Sequence, residues 1–237
     1  MSIVPYRGTR NRRERRPLDR PQIVRAALAL LDEVGLDGLT MRSLAERLGI
    51  QAASLYRHVQ DKEELLVLLA DEISGELPAV EIPVKAHDRP EQEWQGQLVD
   101  LARRYRRVLL AHRDGARLFA STRPAGPNRL RHIDALFGLL LSAGFPPQEA
   151  MRAGYHFNNF VTESVADEVR MSLAAETMGT SQSEAVAEAR EQLRSLPANE
   201  YPNLTRFAEY VVDDDAEGLF QFGLDLWIGG LERLSRL

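Results

Sequence analysis

The sequence predicts an all-α protein with a small N-terminal helical domain and a larger helical domain behind it. Apolar residues recur at helical spacing through most of the chain, and no stretch shows the two-residue alternation of a β-strand. Clusters of glycine and proline separate these periodic segments, as turns do. With 237 residues, of which 44% are hydrophobic, the chain can bury a sizeable core.

The first predicted helix covers about residues 21–34. Pro21 suits a first helical turn, and apolar residues such as Ile23 and Leu30 form a stripe along one face. Gly35 follows this stripe and is predicted to end the helix, because glycine readily adopts the backbone angles that stop one.

Residues 40–62 form the most informative stretch, because they read as two short helices joined at a glycine. Thr40 stands where an N-cap is needed, and Gly49 stands where a left-handed C-cap is needed. Leu44 and Leu48 share one face of the first helix. The arrangement predicts a helix-turn-helix, although an ordinary helical hairpin would show the same caps.

The second short helix has the order of residues that a DNA-recognition helix needs. Small side chains in its first turn let the helix N-terminus approach a DNA edge, and polar side chains follow one turn later. The small residues are Ala52, Ala53 and Ser54, and the polar ones are Tyr56, Arg57 and His58. This order favours DNA binding over a purely structural hairpin.

Charge is distributed unevenly along the chain. Residues 1–62 hold 12 Lys and Arg against 7 Asp and Glu, whereas residues 63–237 hold 18 against 28. We therefore predict one nucleic-acid module, a domain over residues 19–65, on an acidic body with another role. The arginine-rich residues 1–18 are predicted to be a disordered arm that contacts DNA, with a solvated tail as the alternative.

Three absences in the sequence narrow the class of protein. The chain has no cysteine, which excludes disulfides, thiol catalysis and cysteine-ligated zinc. No apolar run approaches the roughly 18 residues that cross a bilayer. The basic start also lacks the apolar core of a secretory signal. We therefore expect a cytoplasmic protein with no membrane partner.

The larger domain is predicted to span residues 66–237 and to be helical. Asp61 and Glu64 form a candidate capping box for the helix that joins the two domains. Residues 78–90 hold three prolines and little periodicity, which indicates a linker. Further helices are predicted over residues 91–112, 128–143, 147–168 and 216–236, and a mobile insert over residues 169–203, with a helix start at Ser181.

The predicted C-terminal helix carries more apolar surface than one packing face requires. Leu219, Phe222 and Leu226 add to a stripe that already includes Phe220 and Ile228. A helix this apolar is expected to bury its second face against another subunit. We therefore predict a homodimer formed through this helix and the helix over residues 147–168.

Three segments of the chain resemble the TetR family of one-component transcriptional regulators, and more narrowly its tetracycline-repressor class. The first segment, residues 38–62, carries a pattern common to the family, whereas the second is specific to that class. The resemblance implies an all-α homodimer with two DNA-reading domains and a core that binds a small ligand. The second segment is Leu110-Ala111-His112-Arg113-Asp114-Gly115-Ala116-Arg117 with Thr122-Arg123-Pro124, and the third is Phe222-Gly223-Leu224 with Ile228 to Glu232.

The resemblance also implies which residues contact double-stranded DNA. Arg42 and Arg57 suit guanine edges or phosphates, and Tyr56 suits a phosphate. Tyr56 could instead be a buried hinge, and His58 could pack as a core histidine. The implied contact residues are Thr40, Arg42, Ala52, Ala53, Ser54, Tyr56, Arg57, His58 and Lys62.

The ligand site departs from the pattern of the tetracycline repressors, which bind a magnesium–drug chelate through a histidine and a glutamate. Phe119 matches the histidine and cannot ligate a hard cation, whereas Ser164 matches the glutamate, with Glu163 beside it. We therefore expect no metal, no cofactor and a more apolar pocket, although each lining residue taken alone could be ordinary core. The expected lining is Leu101, Tyr105, Phe119, Thr122, Arg123, Leu136, His156, Phe157 and Phe160.

These observations favour a regulator over an enzyme. The chain has no phosphate-binding glycine loop, nucleophile elbow or zinc-spaced histidine pair. We predict a ligand-responsive DNA-binding transcriptional regulator, a homodimeric repressor released from a palindromic operator by a small, largely apolar molecule. The alternative is a helical scaffold or ligand-binding protein whose basic N-terminus binds acidic partners without sequence specificity.

Overall fold

A computed structural model describes residues 18–78, 93–179, 181–211 and 216–234. The predicted basic arm, apart from its last residue, and almost all of the predicted linker lie outside the described residues. Every regular element within them is helical, as the sequence predicted. The α-helices are α1 (Arg20–Gly38), α2 (Met41–Leu48), α3 (Ala52–Leu55), α4 (Lys62–Ser74), α5 (Glu93–Ala111), α6 (Gly115–Ser121), α7 (Pro127–Ser142), α8 (Pro147–Met178), α9 (Gln182–Arg194), α10 (Pro202–Phe207) and α11 (Ala216–Leu234), and a 3₁₀ turn covers Ala208–Tyr210.

The ends of α2 are fixed by the two caps that the sequence predicted. The Thr40 side chain accepts a hydrogen bond from the Ser43 backbone amide, and Gly49 is left-handed with φ 65°. Leu44 and Leu55 are fully buried between α1, α2, α3 and α4. Local caps and a shared core therefore define the helix-turn-helix.

The first helix has a kink near its C-terminal end. Gly35 has φ 73° and ψ 178°, a backbone conformation that is essentially restricted to glycine. The helix was predicted to end at Gly35, and in the structure it bends there instead. One more helical turn then continues to Gly38. This turn carries the backbone groups that the larger domain contacts.

The start of α4 differs in detail from the predicted capping box. Asp61 accepts from the Glu64 backbone amide at 2.8 Å, as predicted. The Glu64 carboxylate accepts from the Gln60 amide at 2.6 Å and pairs with Arg20, rather than returning to the Asp61 amide. Glu64 thus connects the starts of α1 and α4.

The long helix α8 organises the larger domain, since α5, α6 and α7 all pack against it. Phe137 of α7 fits against Gly154 of α8, where an added Cβ would lie 2.5 Å from the ring. The sequence did not predict α6, which has only seven residues. Its brevity hides the periodicity by which longer helices are recognised.

The segment over residues 169–203 is largely helical, which corrects the boundary predicted at residue 168. The helix α8 continues to Met178, and α9 begins with a capping box between Ser181 and Glu184. Together α9, α10 and the 3₁₀ turn form a small packed unit.

Helix α11 exposes an apolar face in the single chain, as the sequence predicted. Phe220 and Leu224 are buried in the protomer, whereas Phe222 is 66% and Leu226 is 64% exposed. Met151 and Tyr155 of α8 are also exposed. None of the described helices combines the length and apolar content needed to cross a membrane.

Candidate nucleic-acid interface and ligand cavity

Ion pairs fix the two helices of the helix-turn-helix relative to α1. Arg47 of α2 donates two hydrogen bonds to Glu33 of α1, at 2.6 and 2.8 Å. Arg20, the first residue of α1, donates to the His58 carbonyl at 2.8 Å and to Glu64 at 2.9 Å. A helix of four residues, such as α3, is not stable by itself. The contacts of Arg47, which lies before α3, and of the His58 carbonyl, which lies after it, hold α3 in place.

The surface around α3 is open to solvent. Tyr56 is 51% exposed, so it is not a buried hinge. Ala53 and Arg57 are also exposed, whereas Leu55 points into the core. Thr40 is exposed at the start of α2, and the remaining predicted contacts in this region are half-buried, namely Ala52, Ser54 and His58.

Besides Thr40, whose side chain caps α2, two further predicted DNA contacts have side-chain partners within the protein. Arg42 pairs with Glu46 at 2.9 Å on the exposed face of α2. Lys62 donates to the Leu36 carbonyl at 3.2 Å, beside the kink of α1. A phosphate contact by Lys62 therefore requires this side chain to leave that carbonyl.

The class-specific sequence motif forms the contact between the two domains. We define this contact, residues 112–117 against residues 32–37, as the clasp. His112 lies between two carboxylates, 3.3 Å from Asp32 and 3.1 Å from Glu76. Arg113 adds a hydrogen bond to the Glu33 carbonyl at 2.7 Å. The motif thus joins the two domains.

The inner part of the clasp surrounds the kink of α1. Asp114 accepts from the Leu36 backbone amide at 2.7 Å, and its carboxylate leaves no space for a Cβ at Gly35. Arg117 of α6 forms two hydrogen bonds of 2.8 Å with Asp37, which lowers the pKa of that carboxyl. The N-terminal half of α6 is therefore anchored to the N-terminal domain.

A cavity of about 640 Å³ lies on the other side of α6. Its wall includes Ser74 and Leu77 from the end of α4, and Thr122 from the end of α6. Helices α5 to α8 supply most of the remaining wall, which includes several aromatic side chains. Six of the nine residues predicted to line a ligand pocket line this cavity, namely Leu101, Tyr105, Phe119, Thr122, Leu136 and Phe157.

The other three predicted lining residues lie away from the cavity wall. Arg123 and His156 are exposed, and His156 is adjacent in sequence to Phe157 and so points in a different direction on the helix. Phe160 stacks on Phe220 of α11, with ring centroids 5.4 Å apart. On α8, the direction of each side chain around the helix axis decides which of the predicted residues reach the cavity.

Sequence reasoning missed two basic residues of the wall, Arg129 and His132 on α7. They precede Leu136 by seven and four residues, so they lie on the same face of α7 as this predicted lining residue. Helical spacing from Leu136 could therefore have identified both residues. Burial lowers the pKa of His132, and the Ser74 backbone opposes this shift. The imidazole is therefore predominantly neutral at pH 7.

The polar side of the cavity has a few fixed hydrogen-bonding groups. Tyr105 donates from its hydroxyl to the Asn158 side chain at 3.0 Å, and burial raises the pKa of this phenol. Asn159, Thr162 and Glu163 also line this side, and Ser164 does not. Such a wall can orient a mainly apolar molecule through a small number of polar contacts.

The residues present do not fit a magnesium chelate of the kind that the sequence resemblance raised. Phe119 faces the cavity and offers a ring and no ligand atom. Within residues 18–78, 93–179, 181–211 and 216–234, no three His, Asp or Glu side chains gather in a group that could hold a metal ion.

Comparisons with known proteins match both domains. The family model "Bacterial regulatory proteins, tetR family" matches residues 23–69, and "Tetracyclin repressor-like, C-terminal domain" matches residues 87–235. The tetracycline repressor protein class C of Escherichia coli is 36% identical over 217 residues, which are 92% of each chain.

Solved structures show the same architecture. The Streptomyces coelicolor TetR family protein ActR in complex with actinorhodin is 34% identical, with a TM-score of 0.78 over 93% of this chain and 99% of that chain. TetR-Q116A from Acinetobacter baumannii AYE in complex with minocycline is 32% identical, with a TM-score of 0.66 over 92% and 98%.

These matches cover the DNA-reading helices and the cavity-bearing domain together, so they do not favour a scaffold with a sequence-blind basic tail. They also account for the exposed apolar faces of α8 and α11, because such regulators dimerise. The chain belongs to the TetR family of ligand-responsive, DNA-binding transcriptional regulators.

Proposed function

We propose that this regulator is a homodimeric repressor that binds a palindromic operator and leaves it when a small, largely apolar molecule enters the cavity. One observation carries the proposal: α6 borders the cavity at its C-terminal end and holds the DNA-reading domain at its N-terminal end. A ligand and the operator can therefore act on the same short helix.

The helix α4 provides a second connection between cavity and DNA. Ser74 and Leu77, at its C-terminal end, line the cavity, and its N-terminus begins directly after the α3 turn. Asp71 of α4 accepts hydrogen bonds from the Asn128 and Arg129 amides at 2.8 and 2.9 Å, which ties α4 to α7. A ligand that displaces the end of α4 would thus change the orientation of α3.

The DNA surface of this proposal is the face around α3. Arg57 is assigned to a base edge or phosphate, and Ala52 and Ala53 to thymine methyl groups. Tyr56 and Lys62 are assigned to phosphates, which position the domain without reading sequence. Thr40, Arg42, Ser54 and His58 complete the proposed contacts, and residues 1–18 are proposed to be an accessory basic arm.

The ligand controls DNA binding because DNA and the ligand bind with different affinities to two arrangements of the dimer. In one, the recognition helices are roughly 34 Å apart, one turn of DNA, and enter adjacent major grooves. A ligand that prefers the other arrangement shifts the population away from DNA. Similar chains crystallised with actinorhodin and with minocycline, which supports a small-molecule effector here.

We further propose that the protein acts in the cytoplasm and has no catalytic role. A regulator must reach chromosomal DNA, and the conspicuous His112-Arg113-Asp114 run is fully engaged in the clasp.

Selection of bound sequences from random duplex DNA tests the DNA proposal. We expect a palindromic consensus with two half-sites. Arg57→Ala should then weaken binding to the consensus by about 10- to 100-fold, as expected for loss of a base contact. Binding to random DNA should fall much less.

Arg206→Ala is the matched control, because Arg206 is exposed on α10, outside the helix-turn-helix and outside the helices predicted to form the dimer. It should leave both affinities unchanged. Unrelated selected sequences, or equal losses on consensus and random DNA for Arg57→Ala, would support the scaffold alternative instead.

A further inference from the structure

The cavity wall contains a buried arginine that has no acidic partner. Arg129 is 5% exposed, and none of the ion pairs formed by the described residues includes it. Of the described residues that line the cavity, one is an arginine, Arg129, and one is a carboxylic acid, Glu163, which is exposed. Arg129 therefore sets the charge of the buried part of the cavity.

Neutral oxygens accept the hydrogen bonds that Arg129 donates. Its Nη1 atom donates to Thr122 Oγ1 at 2.8 Å, and its Nη2 atom donates to the Phe119 carbonyl at 3.1 Å. A third, longer contact of 3.4 Å reaches the Thr122 carbonyl. A guanidinium carries five N–H groups, so part of its donor capacity stays unused by the described residues.

The Asp71 carboxylate of α4 already accepts hydrogen bonds from other donors. Asp71 accepts two backbone amides at the start of α7, and it raises the pKa of Arg129 only secondarily. The dominant effect is burial, which lowers the pKa of Arg129. A buried cation that is only partly compensated costs free energy, and an anionic ligand would recover that cost.

The surroundings of Arg129 define the rest of the ligand. The guanidinium carbon lies 4.6 Å from the centre of the Phe119 ring, and Tyr105 packs beside Phe119 with ring centroids 5.7 Å apart. Phe137 and Phe157 add further ring surface to the wall. The cavity thus places a fixed positive charge at the edge of an aromatic lining.

We propose that the effector is an aromatic acid whose anionic oxygen pairs with Arg129 while its rings lie against Phe119 and Tyr105. This inference rests on the proposed ligand-responsive function and specifies the chemical class of the ligand. Arg129 also holds the last carbonyls of α6, so an anion that draws its donors away acts on the helix that carries the clasp.

The test compares an aromatic acid with its neutral isostere, using anthracene-2-carboxylate and anthracene-2-carboxamide. Both fit a cavity of about 640 Å³ and differ mainly in charge. Calorimetry with the full-length protein measures each affinity, and quenching of Trp227 reports occupancy because this ring lies 5.3 Å from Phe157 of the wall. We expect the acid to bind at least tenfold more tightly than the amide.

Variants separate ligand pairing from a purely structural role of Arg129. Arg129→Gln should abolish the preference for the acid, and Arg129→Lys should retain part of it. Arg107→Gln removes an exposed charge from α5 and should keep the full preference. Circular dichroism and a cooperative thermal unfolding transition show that each variant is folded.

Equal affinity for acid and amide in the wild-type protein, preference for the amide, or no binding of either compound would overturn the inference. A preference that survives in folded Arg129→Gln would also overturn it. Operator selection needs no ligand, so these outcomes are distinguishable from a failure of the proposed DNA function.

Discussion

Asp114 is expected to control how firmly the kink of α1 is held in the clasp. Its carboxylate accepts a 2.7 Å hydrogen bond from the Leu36 amide, and Leu36 is buried. Asp114 itself is left-handed, with φ 58°, a conformation that Asp and Asn tolerate better than alanine. Asp114→Ala therefore removes the acceptor, whereas Asp114→Asn retains an oxygen in a tolerated backbone conformation.

The magnitude follows from the type of hydrogen bond. A bond to a charged acceptor contributes about 1.5–3 kcal/mol, and a buried amide left without a partner costs a similar amount. We take about 2 kcal/mol for Asp114→Ala, which corresponds to a roughly 30-fold change in an opening equilibrium. Asp114→Asn should cost less, because only the charge is lost.

Hydrogen exchange at the Leu36 amide measures this opening directly. We expect exchange to become about 30-fold faster in Asp114→Ala, with a clearly smaller change in Asp114→Asn. The Leu31 amide, inside the helical part of α1, serves as the internal reference and should not change. Unchanged exchange at Leu36 in Asp114→Ala, or equal effects of both substitutions, would refute the role assigned to this contact.

Three further perturbations test the clasp and the cavity. Gly35→Ala should lower the free energy of unfolding by about 1–3 kcal/mol in urea titrations, because φ is 73° and the new Cβ would lie 2.8 Å from Asp114; Gly96→Ala, with open space around it, should be neutral or stabilising. Arg117 lowers the pKa of Asp37 below the ordinary carboxyl pKa of 3.8. This ion pair therefore stabilises the fold at pH values above 3.8, and the stabilisation is lost as the pH falls through the lowered pKa and Asp37 becomes protonated. Asp37→Asn should therefore flatten the acid side of the stability profile, and an unchanged profile would contradict the pairing. Calorimetry of tetracycline binding to the protein should give the same result with and without Mg²⁺, because Phe119 offers no ligand atom to the ion. Magnesium-dependent binding would contradict this expectation.

The predicted lining of the candidate site came from the resemblance to the tetracycline repressors. It supplied Leu101, Phe119 and Thr122, which line the cavity. Arg129 was missed because its importance depends on its having no ion-pair partner, and only packing shows that. His156 was included because of its chemistry, but its direction on α8 leaves it exposed.

By itself, the sequence determined the all-α class, the caps at Thr40 and Gly49, and the two-faced character of α11, because each depends on residues close together in the chain. Tertiary structure decided that α6 joins the cavity to the clasp, since Asp37 and Arg117 are eighty residues apart. It also decided that Lys62 bonds to the Leu36 carbonyl. Long-range contacts of this kind arise from helix packing, which no local pattern specifies.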